Sequence, residues 1–428
     1  MPNFAIIKAI MDLYDELKER GLVYQVSNEE SVKKLLNTKG ASFYFGFDPT
    51  AESLHVGSLL QIITAKRLEE NGLKPIVLVG GATGMVGDPS FKEKERVLKQ
   101  KEEVENLVGL LKKQLGKFFN FNKEAVFVNN LDWTEKISYI EFARDVGKKF
   151  TVNEMIAKES VKERMKTGIS FAEFSYMLLQ AYDFLKIFEK YGCRMQMGGS
   201  DQWGNMTAGI ELVRKTKGEE VFVITLPLVT RSDGKKFSKS EGTAVWLDAN
   251  LTSPYHFYQF WINADDKDAV KFLKYYTFLS LEEIKSLENS FASAPEKREA
   301  QKVLAEKVTA FVHGEDASES ARKITENLFT GKIKDLSEKD LKEIFTDSSV
   351  VKLENFSAEA GLNIIDFLVQ AKVSDSKRQA REDIQNKAIE LNGSKVAEID
   401  YLVSQKDFLF GQYIIAKRGK RDYKFISR

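Results

Sequence analysis

The sequence predicts an α/β chain: a doubly wound parallel-sheet domain, then an α-helical domain, then a small α+β module. Three observations carry this. Strand-type and helix-type segments alternate through the first two hundred residues. One strand, Pro75-Ile-Val-Leu-Val79, is apolar throughout, as strands covered on both faces of a parallel sheet are. Strand signals then vanish from Asn250, and helical periodicity runs to about Leu328. The expected division is 1–245 for the sheet domain, with a helical insertion at about 130–195, then 246–345 and 350–428.

The chain opens with a helix, Met1 to Gly21, whose Phe4, Ile7, Ile10, Met11, Tyr14 and Leu17 share a face. Asp12, Asp15 and Glu16 interrupt any signal-like apolar core. Phe43, Tyr44, Phe45 and Phe47 form a strand that Asp48-Pro49 ends. A helix follows over Leu54 to Leu68, with Ser53 expected as its N-cap and Gly72 as its stop. Pro75–Val79 runs into a loop with Gly80, Gly81, Gly84 and Gly87, after which Asp88 is the first acid. Glu93 to Lys117 is helical, and Ala125–Asn129 is a short strand. Asn130 to Ile169 is polar and helical, with Lys148, Lys149, Lys158, Lys162, Arg164 and Lys166. Phe171 to Tyr191 is an apolar helix with a polar stripe of Glu173, Tyr176, Gln180 and Asp183. Two further strands, Arg194–Met197 and Val221–Thr230, lead into Gly198–Asn205 and into the lysine-bearing Arg231–Gly242. Near the end, Ile364 to Ala371 is a short helix, and Ser374 to Ile384 starts a second. Alternating apolar residues and turns follow.

Bulk properties bound the function. A chain of 428 residues holds two to four domains. Net charge is +1, so any nucleic-acid surface is a local patch. One cysteine, Cys193, forbids an intrachain disulfide and fits a reducing cytoplasm. His55, His256 and His313 are far apart, so a Cys/His zinc site is not expected. No stretch of about 18 apolar residues exists, so no membrane helix is expected.

His55 sits where a strand hands over to a helix, the place where open α/β sheets hold ligands. Helix-start amides favour phosphate there, and Gly46 and Gly57 allow close backbone approach. The same histidine also reads as a cap or a surface residue. The glycine loop at 80–87 is either a ligand approach or a tight turn. The polar stripe is either the wet side of its helix or a pocket wall. Lys235, Lys236 and Lys239 are either a solvated turn or phosphate ligands. The basic end, Lys417 to Arg428, with the Lys377/Arg378/Arg381 face, is either solvated or an RNA contact.

Two distant motifs combine these features. His55-Val56-Gly57-Ser58 resembles the first signature of class I aminoacyl-tRNA synthetases, and Lys236-Phe237-Ser238-Lys239-Ser240 resembles the second. They occur in order, each after a strand. Tyr44-Phe45-Gly46-Phe47-Asp48-Pro49-Thr50, Tyr176…Gln180…Asp183 and Gly199-Ser200-Asp201-Gln202-Trp203 resemble the tyrosyl branch of that family. The resemblance spans essentially the whole chain and implies a Rossmann-like catalytic domain, a helical anticodon-binding domain and an S4-like RNA-binding module.

It implies that tyrosine, with ATP, becomes tyrosyl-adenylate and pyrophosphate, and that the tyrosyl group then passes to tRNA(Tyr). By position, Thr50, His55, Lys236 and Lys239 would act on the phosphates. Tyr44 and Asp183 would bind the substrate phenol, and Asp88, Tyr176, Gln180 and Gln202 the rest of the amino acid, with its ammonium on Asp88, Tyr176 and Gln180. Gly46, Asp48, His55, Gly57, Ser58, Gly199, Asp201, Lys236, Ser238 and Lys239 would bind ATP. Lys377, Arg378, Arg381, Lys417 and Arg418 would contact tRNA. Mg2+ would arrive with the ATP phosphates, with no protein-ligated metal. A homodimer through the region around Asn130 to Phe171 is also implied, as is a cytoplasmic place with no membrane. Ser58 and Phe45 depart from the family pattern, which often has an imidazole and a small residue there. The rival readings are a tryptophanyl-tRNA synthetase and a non-catalytic RNA-binding relative.

Overall fold

The computed structural model describes residues 11–90, 99–230, 244–345, 350–353, 361–419 and 422–428, without the side chain of Ser160. They fall in two compact units, Met1–Ala244 with Lys267–Ser290, and Val245–Asp266 with Phe291–Arg428. Residues 1–10 of the expected first helix, residues 93–98 of the third and the whole Arg231–Gly242 segment lie outside the described residues.

The first unit is built on six strands: β1 (Gln25–Val26), β2 (Ser42–Phe47), β3 (Lys74–Val79), β4 (Val126–Asn129), β5 (Met195–Gly199) and β6 (Phe222–Leu226). Their order is β1-β6-β5-β2-β3-β4, parallel except for β1. From β2 the chain winds outward through β3 to β4, and from β5 outward to β6. The reversal of direction lies between β2 and β5, where Tyr44 pairs with Gln196. Such a switch point opens a crevice at the strand ends.

Side-chain alternation sets what each sheet face does. Phe43, Phe45 and Phe47 follow one another on one face, with ring centroids 6.0 and 5.8 Å apart, and Phe45 reaches Phe119. Phe45 is fully buried there, which explains a large residue at that position. Tyr44 points to the other face and joins a core with Ile76, Leu78, Ala181 and Phe184. The helix Phe171–Tyr191 supplies much of that core. It starts with a Ser170/Glu173 capping box and ends at Gly192 in the left-handed conformation, φ 63°. The helix Trp203–Lys217 packs on it closely. A Cβ at Gly209 would lie 2.8 Å from the Phe184 ring, so only glycine fits without a shift.

In the second unit, the helices Pro254–Ile262, Glu299–His313 and Glu315–Thr330 pack together. Beyond them, β7 (Val351–Lys352), β8 (Leu362–Asn363), β9 (Ile389–Leu391), β10 (Ser394–Lys395), β11 (Leu402–Val403), β12 (Tyr413–Arg418) and β13 (Asp422–Ser427) form two small sheets. Their orders are β10-β9-β12-β13-β7 and β11-β8. Strand β12 is buried on both faces. Ile414 and Ala416 enter a core with Phe367, Ile384 and Ile426, while Ile415 enters a second core with Tyr255, Ile324, Leu328 and Ile344.

Candidate active site

A cavity of about 390 Å³ opens at the β2/β5 switch point. Its wall includes Tyr44, Gly46 and Asp48 from β2 and the turn after it, and Gln196, Gly198 and Gly199 from β5. The helix Val56–Glu70 contributes Gly57, Ser58 and Gln61 at its start, and Phe171–Tyr191 contributes Tyr176, Gln180 and Asp183. Thr50, His55, Asp88, Asp201 and Gln202 line it as well. The sequence-derived candidates of the first unit therefore converge, except Lys236, Ser238 and Lys239, which lie outside the described residues.

At the closed end, Tyr44 is buried and its hydroxyl has no hydrogen-bond partner among the described residues. Burial, then the charge of Asp183, raises its pKa. Asp183 is also buried. Trp133 Nε1 donates to its Oδ1 at 2.8 Å and Asn130 Nδ2 to its Oδ2 at 3.0 Å. Loss of water outweighs these two bonds, and the carboxyl is pushed up to about 7. Asn130 also donates to Thr83 Oγ1 at 3.0 Å, and Thr83 donates to Asp48 Oδ1 at 2.7 Å. Tyr176 donates its hydroxyl to Asp48 Oδ2 at 2.8 Å. One connected network thus runs from Trp133 to Tyr176. It fixes the rotamers of Asp183, Asp48 and Tyr176 and leaves the Tyr44 hydroxyl open to a ligand.

Asp88 anchors a second network. Its Oδ2 accepts from Gln202 Nε2 at 3.0 Å, and its Oδ1 accepts from Ser90 N at 3.1 Å and from Asn205 Nδ2 at 3.4 Å. Gln202 Nε2 also reaches Asp201 at 3.3 Å. With Asp48, Asp88, Asp183 and Asp201 along its wall, the cavity is suited to a ligand that carries an ammonium group and hydroxyls.

The helix Val56–Glu70 begins later than expected. Its N-cap is His55, whose Nδ1 accepts the Gly57 amide at 3.0 Å. Ser53 is not the cap. Its hydroxyl donates to Leu54 O at 2.7 Å and accepts from Gln114 Nε2 at 2.9 Å, and Gln114 Oε1 takes the Leu54 amide at 2.8 Å. Gln114 thereby straps the turn, and the cap falls to the next side chain with a suitable acceptor. In the neutral ring this puts the proton on Nε2. Glu173 also leaves the polar stripe: it is buried in an ion pair with Arg164 at 3.0 Å and does not line the cavity.

Several wall residues had no signal of their own in the sequence. Gln196 follows from the sheet register, and its Oε1 is buried without a partner among the described residues. Gln61 sits one turn after Ser58, and its Nε2 donates to Gly46 O at 3.3 Å. Thr83, Asn130 and Trp133 act by holding other residues. In the second unit, Lys377 pairs with Asp366 at 2.6 Å, Arg378 with Glu382 at 3.2 Å, Lys417 with Glu390 at 3.5 Å and Arg418 with Asp383 at 2.9 Å. Arg381 is exposed and makes no ion pair with another described residue.

The family model described as tRNA synthetases class I (W and Y) matches residues 36–330. A second model, a tyrosine–tRNA ligase SYY-like C-terminal domain, matches residues 340–426. The chain belongs to the class I tRNA synthetases of the tryptophan and tyrosine group. Tyrosine–tRNA ligase 2 of Enterococcus faecalis is 52% identical over 413 residues, covering 96% of this chain and 98% of that one. The tyrosine–tRNA ligase of Geobacillus stearothermophilus is 52% identical over 421 residues, covering 97% and 99%. The crystal structure of a C-terminally truncated mitochondrial tyrosyl-tRNA synthetase from Aspergillus nidulans matches at a TM-score of 0.68 and 30% identity, covering 75% of this chain and 95% of that one. Within the group, these relatives place the chain in the tyrosine–tRNA ligase family.

Proposed function

We propose that the cavity at the β2/β5 switch point performs both steps of tyrosine–tRNA ligation, with roles for the residues as follows. The carrying observation is the closed end, where the buried Tyr44 hydroxyl, without a partner among the described residues, lies in a wall shared with a buried carboxyl, Asp183. A phenol satisfies both groups. Phenylalanine would leave the Tyr44 hydroxyl buried without a partner among the described residues and Asp183 with only its Trp133 and Asn130 donors, at a cost of about 1–3 kcal/mol for the unpaired hydroxyl. Asp88, Tyr176 and Gln180 hold the substrate ammonium, with Gln202 beside it.

In the first step a tyrosine carboxylate oxygen attacks the α-phosphorus of ATP. A new P–O bond forms while the bond to pyrophosphate breaks. Catalysis then consists of alignment and of donors placed where negative charge grows. Thr50 and the Nε2–H of His55 serve the departing phosphates, with Lys236 and Lys239. Gly46, Asp48, Gly57, Ser58, Gly199 and Asp201, with Ser238, bind the nucleotide. Mg2+, when bound with ATP, neutralises phosphate charge. In the second step a hydroxyl of the terminal ribose of tRNA(Tyr) attacks the tyrosyl carbonyl carbon; the ester bond forms as the bond to the adenylate phosphate breaks, and AMP leaves. The tRNA is bound through the 246–345 and 350–428 regions, with Lys377, Arg378, Arg381, Lys417 and Arg418 among the contacts.

A homodimer is part of the proposal. Tyr139, Ile140, Val152, Met165 and Phe171 are exposed apolar residues of the 130–171 region. Sedimentation that returns only monomer at micromolar protein would remove it. A cytoplasmic place is part of the proposal as well; no helix among the described residues is long and apolar enough to cross a membrane.

The test of the site is ATP–pyrophosphate exchange with tyrosine, tryptophan and phenylalanine. Tyrosine alone should support it, and Asp183→Ala should abolish it while ATP still binds. Normal exchange in that variant would take Asp183 out of the site.

A further inference from the structure

The second unit holds another cavity, of about 470 Å³. It lies between the β9–β10 hairpin, the turn Ile333–Asp335 and the segment around Lys406. Three lysines line it: Lys334, Lys395 and Lys406. All three are exposed, and none is in an ion pair with another described residue. That sets them apart from Lys377, Arg378, Lys417 and Arg418, each of which faces a carboxylate.

The walls are fixed before any ligand arrives. The hairpin turns at Asn392 and Gly393, both left-handed at φ 48° and 79°. Asn392 Nδ2 donates to Asp407 O at 2.6 Å, and its Oδ1 accepts from Ile415 N at 2.9 Å, which ties the turn to the sheet behind it. On its outer side a Cβ at Gly393 would fall 2.3 Å from Gly331 O, so the tip sits flush against the end of the Glu315–Thr330 helix. Two carboxylates also line the cavity. Asp407 is occupied: Tyr401 donates to Oδ1 at 2.6 Å, and Ser404 N to Oδ2 at 2.8 Å. Glu398 is exposed and has no such donors among the described residues.

We propose that Lys334, Lys395 and Lys406 form a cradle for backbone phosphates of the RNA substrate. Three lysines on a fixed concave wall, none of them in an ion pair with a described residue, suit successive phosphodiesters, whose binding releases condensed counterions. The lysines act as point charges without base reading. This assignment rests on tRNA being the second substrate. Glu398 is the opposing charge, and its removal should tighten the same complex.

The experiment uses the full-length chain with the triple variant Lys334→Gln/Lys395→Gln/Lys406→Gln. Its affinity for tRNA(Tyr) should fall about tenfold or more, and the slope of log K against log salt should shrink by about two to three. The triple arginine variant should bind as the wild type does, and Glu398→Gln should bind more tightly. Tyrosine-dependent pyrophosphate exchange needs no RNA and should be unchanged in all of them. That separates failure of the cradle from failure of the active-site assignment. Unchanged tRNA affinity and salt slope in the glutamine variant would overturn the proposal. So would inorganic phosphate binding that the three glutamines abolish while tRNA affinity stays the same, since the cradle would then hold a free anion.

Discussion

Asp183 is a carboxylic acid in a place that water does not reach, and its pKa sets two pH dependences of opposite use. In the folded, empty site it titrates at about 7, against 3.8 in the unfolded chain. The folded state therefore holds more protons between those values, so this group's contribution to stability falls as pH rises from about 4 to about 7. Tyrosine binding runs the other way. In its proposed role the ionised carboxylate accepts a hydrogen bond from the substrate phenol, and the protonated form is the weaker acceptor, so affinity should decline as pH drops below about 7. Titrating tyrosine affinity from pH 5.5 to 8.5 checks this, and Asp183→Asn should flatten the profile. That variant should also lose about 1.5–3 kcal/mol of binding, roughly 10- to 150-fold in kcat/KM for tyrosine. A profile that keeps its inflection in Asp183→Asn would assign the titration to another group. Asp183 was legible as part of a polar stripe on an apolar helix, and both it and Tyr44 through the motifs that resemble the tyrosyl branch. Asn130, Thr83 and Gln196 were not, because their roles depend on contacts between residues 47 to 53 positions apart, or on a sheet register.

At the scale of elements, the turn from β2 into the helix Val56–Glu70 is the part where local rules and tertiary context parted. Serine is a strong N-cap, and the spacing favoured Ser53. Gln114, some sixty residues away, takes both Ser53 and the Leu54 amide, and the helix is capped by His55 instead. The result joins structure to chemistry, since the bond that caps the helix also fixes which ring nitrogen carries the proton. The two roles can be separated, because an asparagine in place of the histidine keeps a good cap acceptor and loses the ring N–H. His55→Asn should melt within about 0.5 kcal/mol of the wild type, while kcat for exchange falls by roughly 10²–10³ with the KM for ATP little changed. His55→Ala should lose both, with about 1 kcal/mol of stability gone. A His55→Asn enzyme that exchanges normally would reduce His55 to a cap. The helix Phe171–Tyr191, by contrast, was legible to the residue at both ends, because its Ser170 box and its Gly192 stop are local signals that no distant residue contests.

For the molecule as a whole, the sequence division at about 345–350 follows the change from helical to mixed periodicity, but the cores of the second unit do not stop there. Strand β12 reads Tyr-Ile-Ile-Ala-Lys-Arg, and its two faces serve two different partners. Ile414 packs with the terminal module, and Ile415 packs with Tyr255, Ile324 and Leu328 of the helical region. An apolar pair in a short strand signals burial on both faces, yet nothing in it names the partner on the second face. The helical region and the terminal module should therefore unfold together. Ile415 is fully buried, so Ile415→Ala should cost about 2–5 kcal/mol, the range for removing that side chain from a packed core. Hydrogen exchange should rise in the variant both in β12 and in the helices Pro254–Ile262 and Glu315–Thr330. The first unit should keep its protection and its tyrosine-dependent exchange activity, since its own core contains none of these residues. Protection lost from the terminal strands alone would mean that the two parts are energetically separate and that the shared core contributes little to either.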